Sequence, residues 1–331
     1  CRWLHRAAGN YVFGGHGLGA FFNDVWHVEI GAEAASSRVT YNRVSVAESP
    51  APSPRCACGL VDITIGSSTV LAVFGGWAAD EEYLSDLWIL EFVEGTLPQW
   101  RAISKLTGQQ PGKEAQWPAA RWAHTMTTTQ SGFLMFGGSS PGLLFDDLWQ
   151  CRLDMGEEGL EARWSEIEVA GPKPCARAGH AAAACELYPL VVCGGNTLPP
   201  DLTTFSDIWT LSLCGDRGHW QRVDSVTLEA RIGHCAGVLS NRLIIFGGRA
   251  LSTAASHSDQ GFSTTVDVVD LATGAHRTVD VLSSPQGRNF MRTGHALLHH
   301  ATGLAFHGGM YKAPLAAEQE VRDDILLLHA F

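Results

Sequence analysis

The sequence has no Cys-x-x-Cys pair, no long polar tract, and no apolar run of the roughly 18 residues that span a bilayer. Its amino end carries no secretory apolar segment, and little of the chain repeats hydrophobic residues at the 3.6-residue helical period. These absences exclude a zinc ribbon, a disordered chain, a helical membrane protein and a helical bundle. The nine cysteines are an odd set with one Cys-x-Cys, at Cys56 and Cys58, a poor basis for a metal site or a disulfide framework. Most lie in apolar stretches such as "AAAACEL" and "LVVCGG", where a free thiol behaves as a small hydrophobe. A reducing intracellular setting, the cytoplasm, is the expectation. Charged residues make up 17% against 45% hydrophobic, and the net charge is -11. Nucleic acid and anionic membranes are therefore not expected as partners, because both would be repelled at long range. The chain starts at Cys1 rather than Met, which leaves room for a preceding segment.

What the chain does have is internal repetition. A glycine pair closes an apolar run at Gly14-Gly15, Gly75-Gly76, Gly137-Gly138, Gly194-Gly195, Gly247-Gly248 and Gly308-Gly309. Upstream of each pair stands an Arg followed three residues later by His: Arg2/His5, Arg121/His124, Arg177/His180, Arg231/His234 and Arg292/His295, with Arg55/Cys58 in the second copy. Downstream comes a second short run, "NDVWHVEI", "SDLWILEF", "DDLWQCRL", "SDIWTLSL", "TTVDVVDL" or "RDDILLLHAF", opening near an Asp in all but the fifth. A further aromatic follows at Tyr41, Trp100, Trp164 and Trp220, with His276 in the fifth copy. Each unit thus supplies about four short strands separated by turn residues, and such units bury their faces only by covering one another.

Taken together, Arg-x-x-His, apolar strand, Gly-Gly, variable loop, Asp-Leu-Trp and a further Trp resemble the kelch repeat, over essentially all of residues 1–331. The resemblance implies a single all-β domain, a six-bladed propeller of four-stranded blades. The first unit has a shortened inner strand, and the sixth stops at Phe331 without an outer strand. Ring closure stays open at this level: either residues 1–5 supply the missing strand, with Trp3 in the outer Trp position, or the chain is a fragment.

Two motifs invite catalytic readings. Gly15-His16-Gly17-Leu18-Gly19-Ala20 fits a dinucleotide turn, and Gly138-Ser139-Ser140-Pro141-Gly142 fits a nucleophile elbow. Both need a helix next, and both are followed by strand patterns, so they read as loops between the second and third strands. Glu320 and Asp324 match part of an iron-lyase triad found in plant kelch proteins, but Leu328 stands at the third position and His329 falls one residue late. No catalytic residue, cofactor or metal is expected.

The candidate site is the loop face at the channel mouth. Arg2, Arg55, Arg121, Arg177, Arg231 and Arg292 all precede the inner strand, where a ring of guanidinium groups could grip a carboxylate or phosphate. The structural alternative pairs each with the Asp opening the third strand: Asp24, Asp86, Asp147, Asp207 or Asp324. Thr265 replaces that Asp in unit five, which leaves Arg231 as the foremost anion-binding candidate. Trp77, Trp117 and Trp122 stand out of the repeat register and form the candidate aromatic contact patch. The function expected is a non-catalytic protein-interaction module, an adaptor or complex subunit gripping an acidic segment or a free C-terminus. The alternatives are a metal-assisted lyase or sugar isomerase working in the channel, and an architectural subunit contacting partners through its rim.

Overall fold

Short alternating apolar stretches ending in glycine pairs build antiparallel sheets around one axis. The computed structural model describes residue 2 and residues 4–31, 39–66, 68–104, 116–156, 159–249, 261–263, 265–280, 292–300, 303–312 and 319–329. Blade 1 comprises Arg6–Ala8, Tyr11–Phe13, Val25–Ile30 and Val39–Arg43. In blade 2 the innermost place is shared by Arg55–Cys56 and Gly59–Ile65, both paired to Ser68–Ala78, followed by Tyr83–Glu91 and Gln99–Ile103. Blade 3 runs Thr125–Thr129, Gly132–Phe136, Leu148–Gly156 and Gly159–Glu166. Blade 4 has Ala181–Ala183, Leu190–Cys193, Ile208–Cys214 and Arg217–Arg222, with Glu168–Val169 added in parallel at its outer edge. Blade 5 has Cys235–Leu239, Arg242–Phe246, Thr265–Asp270 and His276–Asp280. Ala296–His300, Gly303–Lys312 and Gln319–His329 form a terminal sheet.

The expectation of six four-stranded blades is therefore corrected. Five blades carry four or five strands, and the terminal sheet carries three among the described residues. The extra inner strand of blade 2 arises because the segment before Ala57 pairs over two residues, Arg55 with Ala78 and Cys56 with Trp77, where blades 3 to 5 and the terminal sheet make a single bridge at that place. Nor do Arg2, Leu4 and His5 join the terminal sheet as an outer strand. Arg2 turns into blade 1 to meet Asp24 at 2.6 Å, and the Leu4 N–H donates to the Gly294 carbonyl at 2.8 Å. Trp3 lies outside the described residues.

Closure comes instead from a belt of backbone hydrogen bonds around the axis. The residue before each motif His or Cys donates its N–H to the equivalent carbonyl one unit back: Leu4 to Gly294, Gly294 to Gly233, Gly233 to Gly179, Gly179 to Ala123, Ala123 to Ala57 and Ala57 to Leu4, at 2.8 to 3.1 Å. All six residues hold left-handed φ values between 49° and 65°. Below this belt the inner strands line a channel of about 600 Å³ whose walls include Arg6, Asp62, Thr125 and Cys235.

Between blades the core is aromatic where the outer tryptophans recur. Phe74 and Phe133 meet Trp164 at centroid distances of 5.1 and 5.3 Å, and Phe136 meets Trp220 at 5.3 Å. Each such fully buried side chain contributes roughly 1.5–3 kcal/mol. The seam between the terminal sheet and blade 1 is smaller, centred on Val12, Val28, Leu298 and Ala305.

The glycine pairs are required twice over. Both members take positive φ, and a Cβ on Gly194 would lie 2.6 Å from the His234 ring and 2.8 Å from the Arg231 carbonyl. A Cβ on Gly195 would lie 2.9 Å from that of His180. The pair lets one blade close on its own His and on its neighbour's.

Candidate functional site

The loop face is organised by the repeated arginines. Arg177 donates to both oxygens of Asp207 at 2.7 and 2.9 Å and to the Gly194 carbonyl at 2.9 Å, with its guanidinium 4.1 Å from the Phe205 ring centre. The same Asp accepts from the Trp209 indole at 2.7 Å. Arg121 repeats this with Asp147, Gly137 and Phe145, Arg2 with Asp24, Gly14 and Phe22, and Arg55 with Asp86 and Gly75. Hydrogen bonds from Arg and Trp hold the Asp24, Asp86 and Asp207 carboxyls below their ordinary range although burial pushes them the other way. Arg292 donates to Gly308 at 3.1 Å; the side chain of Asp324 lies outside the described residues. These arginines brace the third strand from beneath the surface, and all but Arg2 are buried.

The premise that Arg231 lacks a carboxylate is also corrected. Asp267, on the same face of the strand two residues beyond Thr265, accepts from Arg231 at 2.6 Å. It occupies the place that Trp26, Trp88, Trp149 and Trp209 take elsewhere. His276 and Thr278 meet its other oxygen at 2.9 and 2.8 Å, so blade 5 exchanges an aromatic girdle for a buried polar cluster.

The motif histidines wedge between blades and are buried. Burial holds the His124, His180 and His295 imidazoles well below their ordinary pKa, and burial followed by the Arg231 charge takes His234 to about 3. His5 contacts His307 at 2.9 Å across the closing seam. Among the described residues no group of three or more His, Cys, Asp or Glu is arranged to hold a metal, and no helix is long and apolar enough to cross a membrane. Burial also pushes the Cys56, Cys193 and Cys235 thiols up to about 12.

Two of the three singled-out tryptophans come together. Phe21 packs edge-on against Trp77 at 5.4 Å, and Trp77 meets Trp122 at 5.8 Å. Leu4, Leu144, Cys56, Ala57, Ala123 and Ala178 complete this cluster beside the belt. The Trp77 indole nitrogen is buried with no acceptor among the described residues. Trp117 lies apart: it packs on Phe74 and Trp164 between blades 2 and 3 and donates to the Ser85 carbonyl at 2.6 Å.

Both catalytic look-alikes are hairpins. His16–Gly17 pairs with Ala20–Phe21, and Ser139–Ser140 pairs with Leu143–Leu144. With the hairpin of blade 2, which turns at Ala79–Glu82, they contribute Phe21, Trp77 and Leu144 to the aromatic cluster. Their tips present Leu18 at 95% exposure and Leu143 at 53%, residues that repeat reasoning passes over because they lie in the variable loops. A second signal was available in the repeats: Phe22, Phe145 and Phe205 each stand two residues before the Asp they help fix.

A closed ring of antiparallel sheets with Arg–Asp–Trp braces and glycine-pair contacts defines a kelch-type propeller. The chain belongs to the family described as the KLHDC2/KLHL20/DRC7 Kelch-repeats domain, whose model matches residues 10–248. It is similar to Tip elongation aberrant protein 1 of Schizosaccharomyces pombe, 30% identical over 179 residues, 53% of this chain and 14% of that protein. It is also similar to Host cell factor 1 of Homo sapiens, 28% identical over 269 residues, 72% of this chain and 12% of that protein. Kelch domain-containing protein 3 of Mus musculus is 26% identical over 199 residues, 56% of this chain and 47% of that protein. The chain thus spans a small part of the first two relatives and under half of the third.

Proposed function

We propose that this chain binds a protein partner through the loop face at the propeller mouth, as an adaptor or subunit of a larger assembly, with residues 1–331 acting as one domain. The kelch propeller itself gives a general protein-interaction role. The observation that carries the finer reading is the aromatic cluster of Phe21, Trp77 and Trp122 beneath three projecting hairpins. Variable loops on a rigid scaffold are where recognition is placed, and aromatic side chains dominate interface hot spots. Trp77 and Trp122 are the contact residues in this reading. Arg2, Arg55, Arg121, Arg177, Arg231 and Arg292 hold the loops in position from below, with Trp117 supporting blade 3. An acidic segment or free C-terminus is not favoured, because the arginines that would grip it are engaged with carboxylates or glycine carbonyls.

The exposed hydrophobic residues away from the loop face, Tyr41, Val93, Leu97, Met155, Leu187 and Val279, are spread over all five blades, which gives the architectural reading less support. The eight free cysteines among the described residues suit a reducing compartment. Crosslinking mass spectrometry of the chain with a co-purified partner tests the proposal. Crosslinks should concentrate on the segments around 16–21, 77–83 and 139–144; crosslinks confined to outer strands such as Gln99–Ile103 or Arg217–Arg222 would overturn it.

A further inference from the structure

Two of the three hairpins carry a conflict that nothing among the described residues resolves. Leu18 and Gly19 are the central residues of a two-residue turn, with φ values of 51° and 77°. Asp80 and Glu81, both at φ 58°, form the second such turn, closed by the Glu82 N–H to the Ala79 carbonyl at 3.3 Å. Turns of this hand favour Asn-Gly, and a branched side chain in the left-handed region is sterically strained. Leu18 adds the cost of a branched apolar side chain left in water, and burial within the chain repays none of it. Strained residues kept at exposed tips point to an external demand.

The chemistry of that demand follows from what the tips present. Leu18 and Leu143 are exposed apolar contacts, Phe21, Trp77, Trp122 and Leu144 form a partly buried apolar floor, and Trp77 has an indole N–H without an acceptor among the described residues. The charged residues of the three hairpins are Asp80, Glu81 and Glu82, all exposed and all acidic. Nearby cations are occupied: Lys173 pairs with Asp146 at 3.0 Å, and the guanidinium groups of Arg2, Arg55 and Arg121 bind Asp24, Asp86 and Asp147. The whole chain carries a net charge of -11, which reinforces the sign.

We propose that this crescent on blades 1 to 3 docks a basic, apolar peptide segment of a protein partner. An apolar side chain of the segment covers Leu18, Leu143 and the tryptophan floor, and an adjacent Lys or Arg pairs with the Asp80–Glu82 tip. The proposal rests on the loop-face reading and adds to it the sign and character of the ligand.

The test is to pan a phage-displayed library of random dodecapeptides against the whole chain and then titrate the best synthetic peptide. Enriched sequences should place Leu, Phe, Met or Trp within about four residues of Lys or Arg. The affinity of that peptide should fall about tenfold or more in the double variant Leu18→Ser/Leu143→Ser, a loss of about 1.4 kcal/mol per decade. The triple variant Asp80→Lys/Glu81→Lys/Glu82→Lys should weaken it similarly and shift selection towards acidic sequences, and added salt should weaken the wild-type complex. The substituted side chains are exposed, so unchanged thermal midpoints verify folding. Selected peptides that are acidic, or whose affinity survives the charge reversal but not the leucine variant, overturn the basic-peptide assignment and leave the loop face standing. Peptides indifferent to both variants, with hydrogen-exchange protection on the outer strands, overturn both.

Discussion

At the mouth, blades 1 to 3 place Leu4, Ala57 and Ala123 at belt positions where blades 4 and 5 and the terminal sheet place Gly179, Gly233 and Gly294. The backbone is the same in both halves, left-handed and hydrogen-bonded in a continuous ring. Glycine enters that conformation without steric cost, whereas an L side chain pays about 1–2 kcal/mol. The first half tolerates the cost because its side chains are covered: Ala57 is fully buried and Ala123 nearly so, within the cluster that holds Trp77 and Trp122. In the second half the belt is preceded by Ala178, Ile232 and Thr293, which bridge Asn196, Arg249 and Met310, so no large aromatic stands at this place. One belt therefore carries two surfaces, and the apolar one lies under the hairpins with exposed leucines and carboxylates.

Acid should produce the largest change, because it acts on both halves at once. The motif histidines have folded pKa values lowered by burial, so the unfolded chain takes up protons first, below its ordinary value of 6.5. Stability is then fully present above about pH 7 and is lost as pH falls from 6.5 towards 3, where His234 titrates in the folded state. Asp24, Asp86 and Asp207 add a loss only below their unfolded value of 3.8. Urea midpoints should be flat from pH 7 to 8 and decline steadily from pH 6.5 to 4.

Next in size, Arg121→Ala in the apolar half and Arg231→Ala in the glycine half should each cost about 3–5 kcal/mol, since each leaves a carboxylate without its buried partner. A much milder Arg231→Ala in chemical denaturation would break the equivalence of the Asp147 and Asp267 braces. Gly179→Ala probes the belt itself. Its Cβ would find no atom closer than 3.7 Å, so only the left-handed backbone resists, and a lowering of stability by about 1–2 kcal/mol is expected. The smallest effect has the opposite sign. Glu81→Gly should raise the thermal midpoint, by at most about 1 kcal/mol of stability, because it relieves a positive φ at an exposed tip.

Much of this architecture is legible in the sequence because it repeats. The glycine pairs, the Arg–Asp braces and the outer tryptophans mark blade positions before any coordinates are seen, and the helix-dependent readings of Gly15–Ala20 and Gly138–Gly142 fail for the reason the strand pattern gives. Strand count was not legible, since every unit leaves the β region at its belt residue and the count turns on whether the segment before it pairs over two residues, as Arg55–Cys56 does, or over one. The brace in blade 5 was missed because its carboxylate stands two residues later, at Asp267 in the place of the tryptophan, and on a strand of period two it keeps its face while leaving its register. Trp117 stands near Trp122 in sequence, yet its indole is drawn to the Ser85 carbonyl and the Phe74–Trp164 core. The exposed leucines were invisible to repeat logic because they occupy the segments that do not repeat.

The most direct measurement is hydrogen-exchange mass spectrometry of the whole chain with and without a bound partner. Protection confined to the segments around 16–21, 77–83 and 139–144, with little change around Gly179, Gly233 and Gly294, is the result expected if the apolar half of the mouth is the recognition surface. Protection centred on the glycine half or on the outer strands would contradict it.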